Sequence, residues 1–157
     1  MMRGHFRYTV WDPLLIISQI VTIQAIFYVS LGVWIFLTDI ISGHGQSLDQ
    51  IFLHKIISVK DLQGRCLAGS FILNSLCCSL SLWYFVQRTK LCLDYSVTTH
   101  VLHLLGCWAY SGHFPSSLTW WLLNVVCVTI TCVCGEFLCM RTEMRAIPLS
   151  MSAKADL

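Results

Sequence analysis

The sequence predicts an all-α polytopic membrane protein, a bundle of four transmembrane helices with both termini on the cytosolic side. Three observations carry that prediction. Only 11% of the 157 residues are charged and 56% are hydrophobic, where a soluble domain carries about a quarter charged residues. Four apolar runs each approach the roughly 20 residues that a helix needs to cross a hydrocarbon core about 30 Å thick. Lysine and arginine are spread unevenly between the connections, which sets an orientation.

The runs are 14–41, 67–87, 95–111 and 118–140, within a transmembrane domain of residues 1–149 followed by a short cytosolic tail at 150–157. The first opens on Asp12-Pro13, a helix cap followed by the residue best suited to a first helical position. It is too long for a signal-peptide core and no small-residue cleavage site follows it, so it is expected to persist as a span. Between the first two runs, SLDQIFLHKI places Leu48, Ile51, Phe52 and Ile56 on one face behind Ser47. That pattern predicts a short helix, capped by Ser47, lying in the membrane interface. The third run is the shortest and least apolar, and Asp94 is placed to cap it. The connection GHFPSS at 112–117 is so short that the third and fourth runs should form an antiparallel hairpin, flanked by Trp108, Trp120 and Trp121 as interfacial anchors.

With four spans, the N-terminus, the loop at 88–94 and the tail share one side. That side holds Arg3, Arg7, Arg88, Lys90, Arg141, Arg145 and Lys154, against Lys55, Lys60 and Arg65 on the other. The excess places both termini in the cytosol.

The nine cysteines lie mostly inside apolar runs. A disulfide framework needs them in watery, oxidising loops, so here they read as small hydrophobes. Cys92 and Cys139 differ in being juxtamembrane, where palmitoylation occurs, although packing remains the first reading for them as well. A net charge of +2, dispersed along the chain, does not suggest nucleic acid. No GxSxG, P-loop, HExxH or glycine-rich dinucleotide fingerprint is present, so neither enzyme chemistry nor a cofactor is expected.

Polar residues nevertheless fall in stripes along the spans: Ser70, Asn74, Cys77 and Ser81; Ser96, His100, His103, Cys107 and Tyr110; Asn124, Cys127, Thr131 and Cys134. Such stripes mark the interior of a bundle, where helices pair through small residues and side-chain hydrogen bonds. Counted back from the hairpin, His103 lies level with Asn124, and a His103–Asn124 hydrogen bond between neutral groups is expected. The alternative is a small transporter or metal-dependent membrane enzyme centred on His100 and His103, with Cys107 on the same face. A proton relay would want a nearby carboxylate. Glu136, the one acid deep enough to consider, counts level with Cys92, near the cytosolic surface, where Arg88, Lys90 or Arg141 can pair with it.

Several stretches together resemble one family: FRYTVWDPLLI at 6–16, SLDQIF at 47–52, FILNSL at 71–76, HLLGCW at 103–108, FPSSLTWWL at 114–122 and GEFLCMRTEMRAIPL at 135–149. They are similar to the Sys family of Golgi integral membrane proteins over nearly the whole chain, the stretch from Leu53 to Cys66 fitting least well. The resemblance implies a four-span trans-Golgi receptor for an Arf-related small GTPase recognised through its acetylated N-terminus. In that family a second Arf-like GTPase acts downstream to recruit tethering golgins. Resemblance and topology together point to a cytosolic docking surface of Trp11, Asp12, Arg88, Glu136, Arg141 and Glu143.

Overall fold

The computed structural model describes residues 12–43, 45, 47–53, 55–58 and 60–146. Trp11 and the charges Arg3, Arg7 and Lys154 therefore lie outside the described residues. Helix α1 spans Pro13–Ser42, and the Asp12 carboxylate accepts from the backbone N–H groups of Leu14 (3.1 Å) and Leu15 (3.4 Å). The expected cap and first turn are thus both formed. Gly43, at φ 70°, ends the helix by donating its N–H to the Asp39 carbonyl at 2.8 Å, a left-handed position that glycine takes without a Cβ penalty.

Helix α2 is a single turn, Asp49–Phe52; α3 spans Leu62–Phe85; a 3-10 turn, η1, covers Thr89–Leu91; α4 spans Cys92–Ser111; and α5 spans Leu118–Ala146. No strand occurs among the described residues. Helices α1, α3 and α5 are long and apolar enough to cross a membrane. The third predicted run, α4, does not reach that measure, because its 20 residues include Asp94, two histidines and four serines or threonines.

Three local expectations are corrected. Asp94 does not cap α4; the helix starts two residues earlier at Cys92, and no side chain caps it. Ser47 does not cap α2, whose N-cap is Leu48. The expected interfacial helix is one turn folded onto the bundle: Ile51 and Phe52 pack against the main core, and Gln50 is buried while Leu48 is exposed. Phe52 explains the difference, since its ring finds Tyr28 at 5.8 Å and Tyr110 at 5.3 Å, contacts that an interfacial position would forgo.

Helix α3 lies between α1 and α5, and α4 packs on α5 and on α1. Polar contacts join α1 to α3 along their length. Trp34 Nε1 approaches Cys77 Sγ at 3.5 Å, Thr38 and Ser70 hydroxyls meet at 3.2 Å, and Ser30 donates to Asn74 Oδ1. Thr131 on α5 donates to the Ser75 carbonyl on α3 at 3.3 Å. The stripes on α3 and α5 therefore do line the interior, as helix pairing without a hydrophobic drive requires. Apolar packing fills the space between, in a main cluster around Phe27, Leu31, Phe71 and Trp120 and a smaller one of Ile23, Leu82, Val86, Cys92, Tyr95 and Cys139. Outside, Val21, Val29, Val33 and Ile40 of α1 and Val125, Val133 and Phe137 of α5 are exposed, the pattern of helices whose solvent is lipid.

Candidate functional site

The start of α1, the end of α3, the start of α4 and the end of α5 meet at one end of the bundle, and the sequence locks that end together. After Phe85 the chain turns at Gln87, a non-glycine residue at φ 53° whose N–H donates to the Leu82 carbonyl at 3.2 Å. Arg88 follows in extended conformation and leads into η1. Glu143 on α5 then clips this loop, accepting from the Thr89 backbone N–H at 3.3 Å and from its hydroxyl at 3.0 Å. Trp83 adds a second tie, its indole N–H donating to the Thr142 hydroxyl at 2.7 Å. These contacts explain why α5 continues past Met140, where the apolar run stops.

Five of the six expected docking residues fall at this end; Trp11 lies outside the described residues. Asp12, Arg88, Arg141 and Glu143 are exposed and Glu136 is half-buried. Arg141 lies over the Phe137 ring at 5.4 Å, a cation–π arrangement that holds the guanidinium at the rim. Asp12 is committed to its cap and Glu143 to its clip, so both shape the surface as much as they present charge. Glu136 is level with Cys92, since a Cβ added at the adjoining Gly135 would lie 3.7 Å from Cys92 Sγ. Its carboxylate does not form the expected ion pair with Arg88, Lys90 or Arg141 but accepts a long contact from the Cys132 thiol at 3.5 Å. Cys92 and Cys139, for which packing is the first reading and acylation the alternative, are both fully buried with their sulfurs 3.7 Å apart, as packing requires.

Beneath this surface is a joint that the sequence pattern did not single out. Tyr95 on α4 donates its hydroxyl to Gln19 Oε1 on α1 at 2.7 Å, and Gln19 Nε2 donates to the Phe85 carbonyl at 3.1 Å. One amide thereby links three helices and satisfies a carbonyl that α3 leaves unpaired at its C-terminus. The only sequence signal is an amide inside an apolar run. Gln19→Leu should lower stability in detergent by about 1–2 kcal/mol, since it strands the tyrosine hydroxyl and the carbonyl together. Tyr95→Phe should cost about half as much, because Gln19 keeps its second bond. Paired thermal melts of the two variants check that ordering.

The histidines sit elsewhere, in the middle of the bundle, and their expected partner is corrected. His103 is fully buried among Phe27, Tyr28, Phe52, Phe71 and Trp120, with ring centroids 5.2 to 6.5 Å away. Its Nδ1 faces the Tyr28 hydroxyl and its Nε2 the Cys107 thiol, each at 3.5 Å. It does not bond Asn124, whose amide instead donates to the Trp120 carbonyl on its own helix at 2.9 Å. The reason is the packing of α4, which turns His103 toward α1 and α3 and leaves a groove of about 230 Å³ between α4 and α5, lined by His100, Asn124 and Trp120. His100 donates through Nδ1 to the Ser96 carbonyl at 2.9 Å and sets its ring against Phe27. Among the described residues no three His, Cys, Asp or Glu side chains gather closely enough to hold a metal ion.

One acid escaped the sequence reading. Asp39, near the other end of α1, is 6% exposed and accepts from Gln50 Nε2 at 3.3 Å, so Glu136 is not the only carboxylate held within the bundle.

Residues 6–149 match the family model described as "Integral membrane protein S linking to the trans Golgi network". A protein named SYS1 homolog from Nematostella vectensis is 50% identical over 149 residues, covering 95% of this chain and 94% of the relative. A SYS1 homolog from Dictyostelium discoideum is 38% identical, covering 96% of this chain and 65% of the relative. Protein SYS1 of Saccharomyces cerevisiae is 25% identical over 89% of this chain and 69% of its own length. No solved structure matches the chain. The resemblance carried by the motifs is therefore a membership: the chain is an integral membrane protein of the SYS1 family.

Proposed function

We propose that the chain is a Golgi membrane receptor, with four spans and both termini cytosolic, that docks an Arf-related small GTPase through that GTPase's acetylated N-terminus and so supports vesicle traffic at the trans-Golgi. One observation carries the proposal furthest. Asp12 and Arg88, distant in sequence from each other and from Glu136, Arg141 and Glu143 on α5, are gathered with them at a single end of the bundle, where the Glu143–Thr89 clip ties the loop to α5. A surface of exposed polar side chains beside exposed Phe85, Leu93 and Phe137 suits an amphipathic helix whose first residue is an uncharged amide. Acetylation removes the terminal charge, which makes burial at such a surface much less costly.

In this reading α4 is the third span, short and polar because it is covered by α5 and α1. Tags at Met1 and Leu157 should both be reached by antibody when only the plasma membrane is permeabilised, while a tag near Gly45 should stay protected. Protection of either terminus would put the candidate surface on the wrong side for a cytosolic partner.

The direct test is co-purification with the GTPase, expected to be stronger in its GTP state and weakened when N-terminal acetylation is blocked. Equal capture of acetylated and free termini would sink the acetyl-recognition mechanism. The double variant Arg88→Glu, Arg141→Glu should reduce capture by about tenfold while changing detergent stability by no more than about 0.5 kcal/mol, since both side chains are at the exposed rim.

A further inference from the structure

At the end of the bundle away from the candidate docking surface, Asp39 and Gln50 form a buried polar pair that is incomplete. Gln50 Nε2 donates to Asp39 Oδ1 at 3.3 Å and to the Gly45 carbonyl at 3.2 Å. Turning the amide over would set an oxygen against two acceptors, so the placement of Nε2 is fixed by its partners. That leaves Asp39 Oδ2 and Gln50 Oε1, both buried and both without a donor among the described residues. Their residues are 6% and 2% exposed. Two neighbouring acceptors in such a place call for a ligand that donates hydrogen bonds.

The pair borders two cavities. One, of about 10 Å³, lies among Thr38, Ser42 and Gln63 and has room for about one water. The other, of about 300 Å³, is open and walled by Gly32, Ile35, Phe36 and Ile51. Those walls are apolar, Ser47 and Leu48 complete the lining, and Phe36 is exposed on α1, as are Val29 and Val33 on the same helix. A 30-residue helix is about 45 Å long and overreaches a hydrocarbon core of about 30 Å. Asp39, three residues from its end, therefore lies at the height of lipid headgroups.

We infer that the Asp39–Gln50 pocket binds a phospholipid whose headgroup ends in a primary ammonium, its N–H groups donating to Asp39 Oδ2 and Gln50 Oε1 and its acyl chain lying along Val29, Val33 and Phe36. A primary ammonium carries three donors and a positive charge, matching a carboxylate beside an amide oxygen. A quaternary choline headgroup has the charge but no N–H to give. A hard divalent cation would demand more oxygen ligands than one carboxylate and one amide supply. The apolar walls and lateral opening favour a lipid over a soluble amine.

The test uses the full chain in nanodiscs containing equal amounts of phosphatidylethanolamine and phosphatidylcholine with identical acyl chains, with retained lipid counted by native mass spectrometry. Wild type should retain the ethanolamine lipid about tenfold over the choline lipid, the value of one charge-assisted hydrogen bond. Asp39→Asn should abolish that preference. Gly32→Leu offers a second route, because a Cβ at Gly32 meets nothing within 4 Å, so the added side chain can fill the cavity without straining the fold, and retention at the site should be lost. Equal retention of the two lipids by wild type would mean the pair is merely hydrated and would overturn the inference. So would a preference that survives in both variants. Displacement of the lipid by free ethanolamine at millimolar concentration would assign the pocket to a soluble amine and overturn the lipid assignment.

Discussion

Gly64→Ala is expected to destabilise the protein by about 3 kcal/mol or more, the upper range for forcing a group into a filled space. A Cβ at Gly64 would enter the Ser58 backbone, 2.6 Å from its nitrogen, 2.8 Å from its carbonyl carbon and nearer still to its oxygen. Backbone cannot rotate aside as a side chain can. Relief would require the segment at 55–58 to lift from α3, and that segment carries Ile57, 3% exposed in the main core. The melting temperature in detergent should fall by roughly 10 °C, taking the usual conversion for a chain of this size. Gly69→Ala on the same helix is the control: nothing lies within 4 Å of its Cβ position, and alanine is favoured over glycine in a helix by up to about 1 kcal/mol. The two substitutions should therefore move stability in opposite directions. A Gly64→Ala protein as stable as wild type would show that the 55–58 segment does not rest on α3.

What the sequence made legible was local or additive. Asp12-Pro13 starts α1 because a cap depends on a few adjacent residues. The level of Glu136 with Cys92 followed from counting along two helices joined by a short turn. Rotation of a helix about its own axis is neither local nor additive, and there the reading failed. Counting assigns His103 to Asn124, whereas the packing of α4 turns it to Tyr28 and Cys107. Asp94 has the chemistry of a cap yet lies inside the first turn, because η1 delivers the chain to α4 three residues sooner. Gln19, Asp39 and Gln50 were passed over because each looks like an isolated polar residue until distant segments bring it a partner. The candidate docking residues came from family resemblance and charge sidedness. Their convergence depends on Thr89 and Glu143 meeting across 54 positions, which no local pattern encodes.

The second large effect concerns His103 and separates a packed core from a reactive centre. His103→Ala should cost about 3 kcal/mol, the usual range for emptying a fully buried site, because it removes a ring held among five others at 5.2 to 6.5 Å. His103→Phe should recover most of that loss. The phenyl ring refills the space and forfeits only two long contacts, to the Tyr28 hydroxyl and the Cys107 thiol, each 3.5 Å, worth about 1 kcal/mol together. His103→Asn should behave more like alanine: with the Asn124 amide already bound to the Trp120 carbonyl, an asparagine at 103 gains no partner there and fills less volume. A transporter or metal enzyme centred on His100 and His103 makes the opposite forecast, since phenylalanine can neither ligate a metal nor pass a proton. The decisive comparison measures melting temperature and functional rescue for all three variants in cells lacking the protein. Rescue by phenylalanine, with asparagine and alanine both impaired in proportion to their stability, is the expected order. A phenylalanine variant that is stable, correctly localised and yet inactive would make His103 chemical rather than structural.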